Sequence, residues 1–185
     1  NSSNKLKDFD IHSFINEISI DSPAPGGGSV SALSGALSSA LISMVSNLSY
    51  NKKGYEKYNL DFEKIGSQAQ SIKRKLIDLI DEDTEAFNMI MQAFRLPKKT
   101  EKDILNRNNA ILNATKNAIE VPLKVMELSL DSLKLSKKIS KIGNKNSLSD
   151  AGVASEMAIS SLNGAHMNVL INLKDLDDAV YIKKI

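Results

Sequence analysis

Asp83 is a carboxylate in the middle of an apolar stripe. Between Leu60 and Phe94, Phe62, Ile65, Ala69, Ile72, Leu76 and Ile80 recur at steps of three and four, and Phe87, Ile90 and Phe94 follow. That spacing predicts one face of a long helix. The step between Ile80 and Phe87 falls on Asp83. An ionisable group on a buried face is costly unless it has partners. Two readings follow. Asp83 is a core residue tied to Ser or backbone donors, or it is an acid/base group whose pKa burial raises toward the working pH. Asp81, Glu82 and Glu85 fall off the stripe and are expected to turn outward.

Two further clusters could handle a ligand. Gly26-Gly27-Gly28-Ser29 follows Pro23-Ala24-Pro25 and opens an apolar segment. Glycines at a helix start let a ligand approach bare N–H groups, where the helix dipole favours anions. Equally, they permit a sharp, close-packed turn. The run is no nucleotide loop: Gly-Lys-Ser/Thr does not follow, Ser31 replaces the third glycine of the dinucleotide fingerprint, and no strand precedes. Lys52-Lys53, between Tyr50 and Tyr55, reads as a solvated turn or as an anion clamp.

The elements that carry these residues are helices. From Ser22 through Asn51 there is no charged residue, although charged residues are 25% of the chain. Within it Val30, Leu33, Leu37, Leu41, Met44 and Leu48 form a helical stripe, and Ala32, Gly35, Ala36, Ser39, Ala40 and Ser43 keep the other faces small. This predicts a buried central helix. Its many serines argue against a membrane span. Asp10 is expected to cap a short helix with Ile11, Phe14, Ile15 and Ile18 on one face. Thr100, with Asp103 three residues on, caps another in which Leu105, Leu112, Ile119 and Met126 repeat every seven and Pro122 kinks or restarts the helix. From Ala151 to Leu173 the only formally charged residue is Glu156. Its ridge of Ala154, Ala158, Ser161 and Ala165 predicts a second buried helix beside the first. Residues 1–9 read as frayed and 175–185 as a last helix.

The 185 residues predict one all-α domain, a multihelical bundle, spanning 1–185. With 24 Lys+Arg against 22 Asp+Glu, no nucleic-acid or membrane-surface partner is expected. Without Cys and with two His, neither disulfides nor a thiolate or His-rich metal site is expected. No signal-peptide core is visible near the start, so the expected location is cytoplasmic. The Asn-Ser-Ser opening without Met reads as a trimmed start.

Together these segments resemble the cyclodeaminase domain of formiminotransferase-cyclodeaminase and its stand-alone relatives, the methenyltetrahydrofolate cyclohydrolases. The resemblance rests on Pro23-Ala24-Pro25-Gly26-Gly27-Gly28-Ser29-Val30, Tyr50 with Lys52-Lys53, and Asp81-Glu82-Asp83-Thr84-Glu85-Ala86-Phe87. Arg95-Leu96-Pro97-Lys98, Val121-Pro122-Leu123, Gly143-Asn144 with Ser149-Asp150, and Asn168-Val169-Leu170-Ile171-Asn172-Leu173 complete it. Asn51 stands where members often carry Gly, and the chain ends at Ile185 where members usually continue through another helix.

The resemblance implies a dimeric helical bundle acting on one-carbon-substituted tetrahydrofolate, without metal or redox cofactor, with Asp83 as the catalytic carboxylate. Lys52 and Lys53 would hold a folate glutamate tail. Gly26, Gly27, Gly28, Ser29 and Asn168 would line the substrate site. The implied activity is formimidoyltetrahydrofolate cyclodeaminase or, alternatively, methenyltetrahydrofolate cyclohydrolase. The competing readings are a non-catalytic helical interaction module and an anion- or nucleotide-binding protein that uses the glycine run.

Overall fold

The computed structural model describes residues 5–174 and 176–185, and its regular elements there are helical. They are α1 (Ile11–Ser19), α2 (Gly27–Ser49), α3 (Asn59–Phe94), α4 (Glu101–Ile142), α5 (Leu148–Leu173) and α6 (Ala179–Ile182), with 3₁₀ turns before α1, α3 and α5. Short connections make α2 to α5 run alternately up and down, and α2 packs against α3, α4 and α5.

The local signals explain the boundaries. Asp10 Oδ1 accepts the Ser13 N–H at 2.7 Å and starts α1. Thr100 and Asp103 exchange side-chain and backbone bonds in a full capping box that starts α4. Pro122 sits inside α4, which continues through it. Asn51 adopts a φ of +54°. That is the left-handed region, where Asn is among the few tolerated side chains. Bonds between Asn51 and Asn59 hold the turn.

The centre of the bundle is built from small residues rather than large ones. Ala32, Ala36, Ala154, Ala158 and Ser161 are buried, so α2, α4 and α5 approach closely. A Cβ on Gly35 would lie 2.8 Å from Ser161 Oγ and 3.2 Å from Ser129 Oγ. Serine hydroxyls then cross-link the helices: Ser34 donates to Met157 O at 2.9 Å, Ser38 to Ala154 O at 2.7 Å, and Ser161 to Ser31 O at 2.6 Å. Ser39 and Ser132 pair at 2.6 Å. Each such bond contributes about 1 kcal/mol net. By length and apolarity alone α2 could cross a membrane, but these serines face other helices.

Several expectations are corrected here. The stripe Val30–Leu37–Met44–Leu48, expected in the core, is the open side of α2: these residues are 41, 47, 37 and 50% exposed, and Leu33 and Leu41 are half-buried. A period shows which residues share a face, not what covers that face. The small faces pack closer to other helices and take the interior. On α1, Phe14 is buried and Ile18 half-buried, but Ile11 and Ile15 are exposed. Asp81 does not turn outward; it is buried, and its Oδ1 accepts the Leu6 N–H at 2.7 Å. That bond ties the 3₁₀ turn Leu6–Asp8 to α3, so residues 5–9 are not frayed; residues 1–4 of that expectation lie outside the described residues. Of the expected last helix, only the short α6 forms, and Asp175 lies outside the described residues.

Candidate active site

Four helices meet where α2 begins. Asp83 comes from the middle of α3, and Ala86, Phe87 and Ile90 follow it along the same helix. Ala118 comes from α4, and Asn168 and Asn172 from α5. With Pro23, Ala24 and Gly26–Gly28 they enclose a cavity of about 120 Å³. Asp83 is its only carboxylate among the described residues, and the α3 wall beside it is apolar.

The glycine run has a physical reason in this geometry. A Cβ on Gly28 would lie 2.0 Å from Asp83 Oδ1 and 2.4 Å from its Cγ. Only a residue without a side chain lets the carboxylate approach the first turn of α2. The anion that the bare helix start receives is therefore the protein's own Asp83. Gly27 lies against the Asn168 amide, with a Cβ position 3.5 Å from Nδ2. Gly26 is the N-cap.

Asp83 is held from one side. Ser29 Oγ lies 3.1 Å from Asp83 Oδ2 and 2.9 Å from the Ile80 carbonyl. A hydroxyl has one proton to donate. It serves an ionised Asp83; a protonated Asp83 can instead donate to Ser29 Oγ, freeing the hydroxyl for Ile80 O. Ser29 thus follows the charge of its neighbour. Burial pushes the Asp83 carboxyl above its ordinary range, while the Ser29 hydroxyl and backbone N–H pull it part of the way back. The balance is a half-buried carboxyl whose pKa stays above the ordinary carboxylate range, as suits a group that gives and takes a proton.

The far wall is set by Pro122. Proline has no N–H, so the carbonyl four residues back, Ala118 O, loses its helical donor. Asn172 Nδ2 supplies the bond at 2.7 Å. This locks α5 to α4 at the cavity wall. Asn168 spends one donor on Gly164 O at 2.8 Å, which leaves its other amide hydrogen and its oxygen for a ligand.

The structure brings together Asp83, Gly26, Gly27, Gly28, Ser29 and Asn168. Ser29 has no exposed surface and reaches the cavity through the carboxylate it holds. Lys52 and Lys53 are elsewhere. They follow the C-terminal end of α2, whose 23 residues span ~34 Å, so within one chain they stand far from Asp83. Asn172 and Ala118 were not singled out from the sequence as site residues; the proline four residues after Ala118 is the signal that points to them. Among the described residues no three His, Asp or Glu side chains gather as metal ligands.

The formiminotransferase-cyclodeaminase family model matches residues 10–185. The chain belongs to the formiminotransferase-cyclodeaminase family. Over 174 residues it is 36% identical to a methenyltetrahydrofolate cyclohydrolase of Methylorubrum extorquens, covering 94% of this chain and 84% of that protein. Over 179 residues it is 34% identical to the formimidoyltransferase-cyclodeaminase of Rattus norvegicus, covering 97% of this chain and 33% of that one. The chain thus spans about a third of the length of that bifunctional relative. The crystal structure of formiminotetrahydrofolate cyclodeaminase from Thermotoga maritima superposes with a TM-score of 0.87 at 32% identity, over 97% of this chain and 86% of that one. The family's members process folate one-carbon units, and of the segments that carry the resemblance the glycine run, the Asp83 segment and the Asn168–Asn172 pair line the cavity.

Proposed function

We propose that this protein is a formimidoyltetrahydrofolate cyclodeaminase in which Asp83 moves the proton. The observation that carries this reading is the raised-pKa carboxyl of Asp83, held against the start of α2 in a cavity shared by Phe87, Ile90 and the Asn168 and Asn172 amides. The solved T. maritima cyclodeaminase, matched across nearly the whole chain, supports it. In the reaction, N10 of 5-formiminotetrahydrofolate attacks the formimino carbon and a tetrahedral intermediate forms. Asp83 takes the N10 proton and returns it to the formimino nitrogen. The carbon–nitrogen bond breaks, ammonia leaves, and 5,10-methenyltetrahydrofolate is left. The substrate amidinium and the product are cations, so a nearby carboxylate also stabilises the charge. The residues named need no cofactor for these steps.

A second reading is favoured by the M. extorquens cyclohydrolase, which this chain matches over most of its length. There water attacks the methenyl carbon and Asp83 accepts one of its protons; that proton passes to N5 as its bond to the carbon breaks, the remaining hydroxyl proton is released, and 10-formyltetrahydrofolate forms. One carboxylate at the same carbon serves both reactions. Purified protein assayed with 5-formimino- and 5,10-methenyltetrahydrofolate side by side separates the two. Ammonia release that outpaces ring opening supports deamination, and the reverse supports hydrolysis. Activity on neither overturns both.

A further inference from the structure

The 120 Å³ cavity is too small for a whole folate, because a ligand of that size occupies ~300–1,000 Å³. A groove of about 330 Å³ adjoins it at Pro23, Ala24 and Phe87. The groove runs on along α3, past Met91 to Arg95, the C-cap residue of that helix. Asp83, Phe87, Met91 and Arg95 stand four residues apart, one continuous row on the helix surface. Cavity and groove therefore share one wall.

In both folate reactions the carbon that reacts is bonded to N10 at the decisive step, and the p-aminobenzoylglutamate half of the substrate hangs from N10. That half must leave the cavity beside Asp83. It ends in a glutamate with two carboxylates, whereas the pterin ring is neutral. Arg95 is the groove's only charged lining residue among the described residues; it is exposed and takes part in no ion pair there. From Ala86 to Thr100 the chain has no Asp or Glu and carries Arg95, Lys98 and Lys99. This end of α3 is positive and attracts a dicarboxylate. Phe87 and Met91 offer the benzoyl ring an aromatic and a thioether face.

The lengths agree. Asp83 and Arg95 are twelve positions apart, a rise of ~18 Å along the helix. Long side chains on a helix lean toward its N-terminus, so the arginine side chain, ~7 Å long by its bond lengths, reaches back toward Asp83. The remaining gap of ~10 Å matches the span from N10 across the benzoyl ring to the first glutamate carboxylate, ~10 Å by covalent bond lengths.

We propose that this groove binds the p-aminobenzoylglutamate half of the substrate, with the benzoyl ring over Phe87 and Met91 and a glutamate carboxylate on Arg95. The assignment rests on the folate reading of the Asp83 site. Arg95 stands away from the reacting carbon, so it binds ground state and transition state alike and acts on KM.

The test pairs Arg95→Ala with a substrate that lacks the glutamate, the tetrahydropteroyl compound with a methylamide in its place. On the folate that wild type turns over, Arg95→Ala should raise KM about tenfold with kcat kept, the loss of a two-pronged arginine–carboxylate bond. Wild type should show the same rise on the methylamide, and Arg95→Ala should add nothing further there. Arg95→Lys keeps the charge without the fork and should fall between. An unchanged KM for Arg95→Ala on the folate overturns the assignment. So does a KM rise of equal size on folate and methylamide, which would make Arg95 a structural residue. A wild type that turns over neither folate overturns the folate reading and this assignment with it; an active wild type with an indifferent Arg95→Ala overturns the groove's occupant and leaves the folate reading standing.

Discussion

Gly28→Ala should cost turnover and leave the fold intact. The new Cβ would stand 2.0 Å from Asp83 Oδ1 and 2.6 Å from Oδ2, where ordinary contact begins at 3.4 Å. The carboxylate must move by about 1.4 Å, the difference of the two distances, and a misplacement of ~1 Å costs about 10²-fold in rate. The move also strains the 3.1 Å contact with Ser29, so the expected fall in kcat is about 10² to 10³-fold. That corresponds to roughly 3–4 kcal/mol of lost transition-state stabilisation. Gly28 lies in the first turn of α2 and is not among the positive-φ residues, so its backbone accepts alanine and the helix itself is kept. The assay is steady-state kcat on both folates beside a thermal melt by circular dichroism. Near-normal turnover at unchanged melting temperature would refute the close approach of Asp83 to α2.

Three further outcomes are expected. Ser29→Ala removes a donor that favours ionised Asp83, so the acid limb of the kcat/KM pH profile should move to higher pH; a shift to lower pH contradicts the hydrogen-bond assignment. Asn172→Ala leaves Ala118 O without its partner and should lower stability by ~1–3 kcal/mol, read as a lower denaturant midpoint at unchanged m; an unmoved midpoint contradicts it. Asp81→Asn keeps an oxygen to accept the Leu6 N–H and lies outside the cavity, so kcat should stay within a few-fold of wild type; loss of turnover with the fold intact would move the acid/base role to Asp81.

Most of the fold was readable because its signals are local. Asp10, Thr100 and Asp103 announce helix starts through bonds within three residues, and the small ridge of α5 announces close packing. Asp83 was readable as a gap in a periodic stripe. What was not readable depends on which partner a face meets. The α2 stripe looked like core because hydrophobic periodicity carries no information about the covering surface, and serines that read as polar turned out to bond across the interior. Asp81 looked exposed because nothing local shows that the Leu6 N–H will reach it across 75 positions of sequence. Lys52 and Lys53 came to the substrate site through the resemblance alone, and within one chain the length of α2 separates them from Asp83. Asn172 was hidden because its task is set by a proline on another helix.

The central claim is that the Asp83 carboxyl transfers the proton at the folate one-carbon unit. Its raised pKa means the fold favours the neutral form, so the stability that neutrality supplies is lost as pH rises through the folded pKa. Asp83→Asn keeps the shape without that cost and should melt no lower than wild type at neutral pH. The deciding measurement is therefore kcat of Asp83→Asn on 5-formimino- and 5,10-methenyltetrahydrofolate, taken on protein whose melting temperature is checked in parallel. A fall of ~10²–10⁴-fold on the substrate that wild type turns over, with the melting temperature held or raised, is the result predicted. Near-normal turnover by the folded Asp83→Asn protein would contradict it and return Asp83 to a structural role.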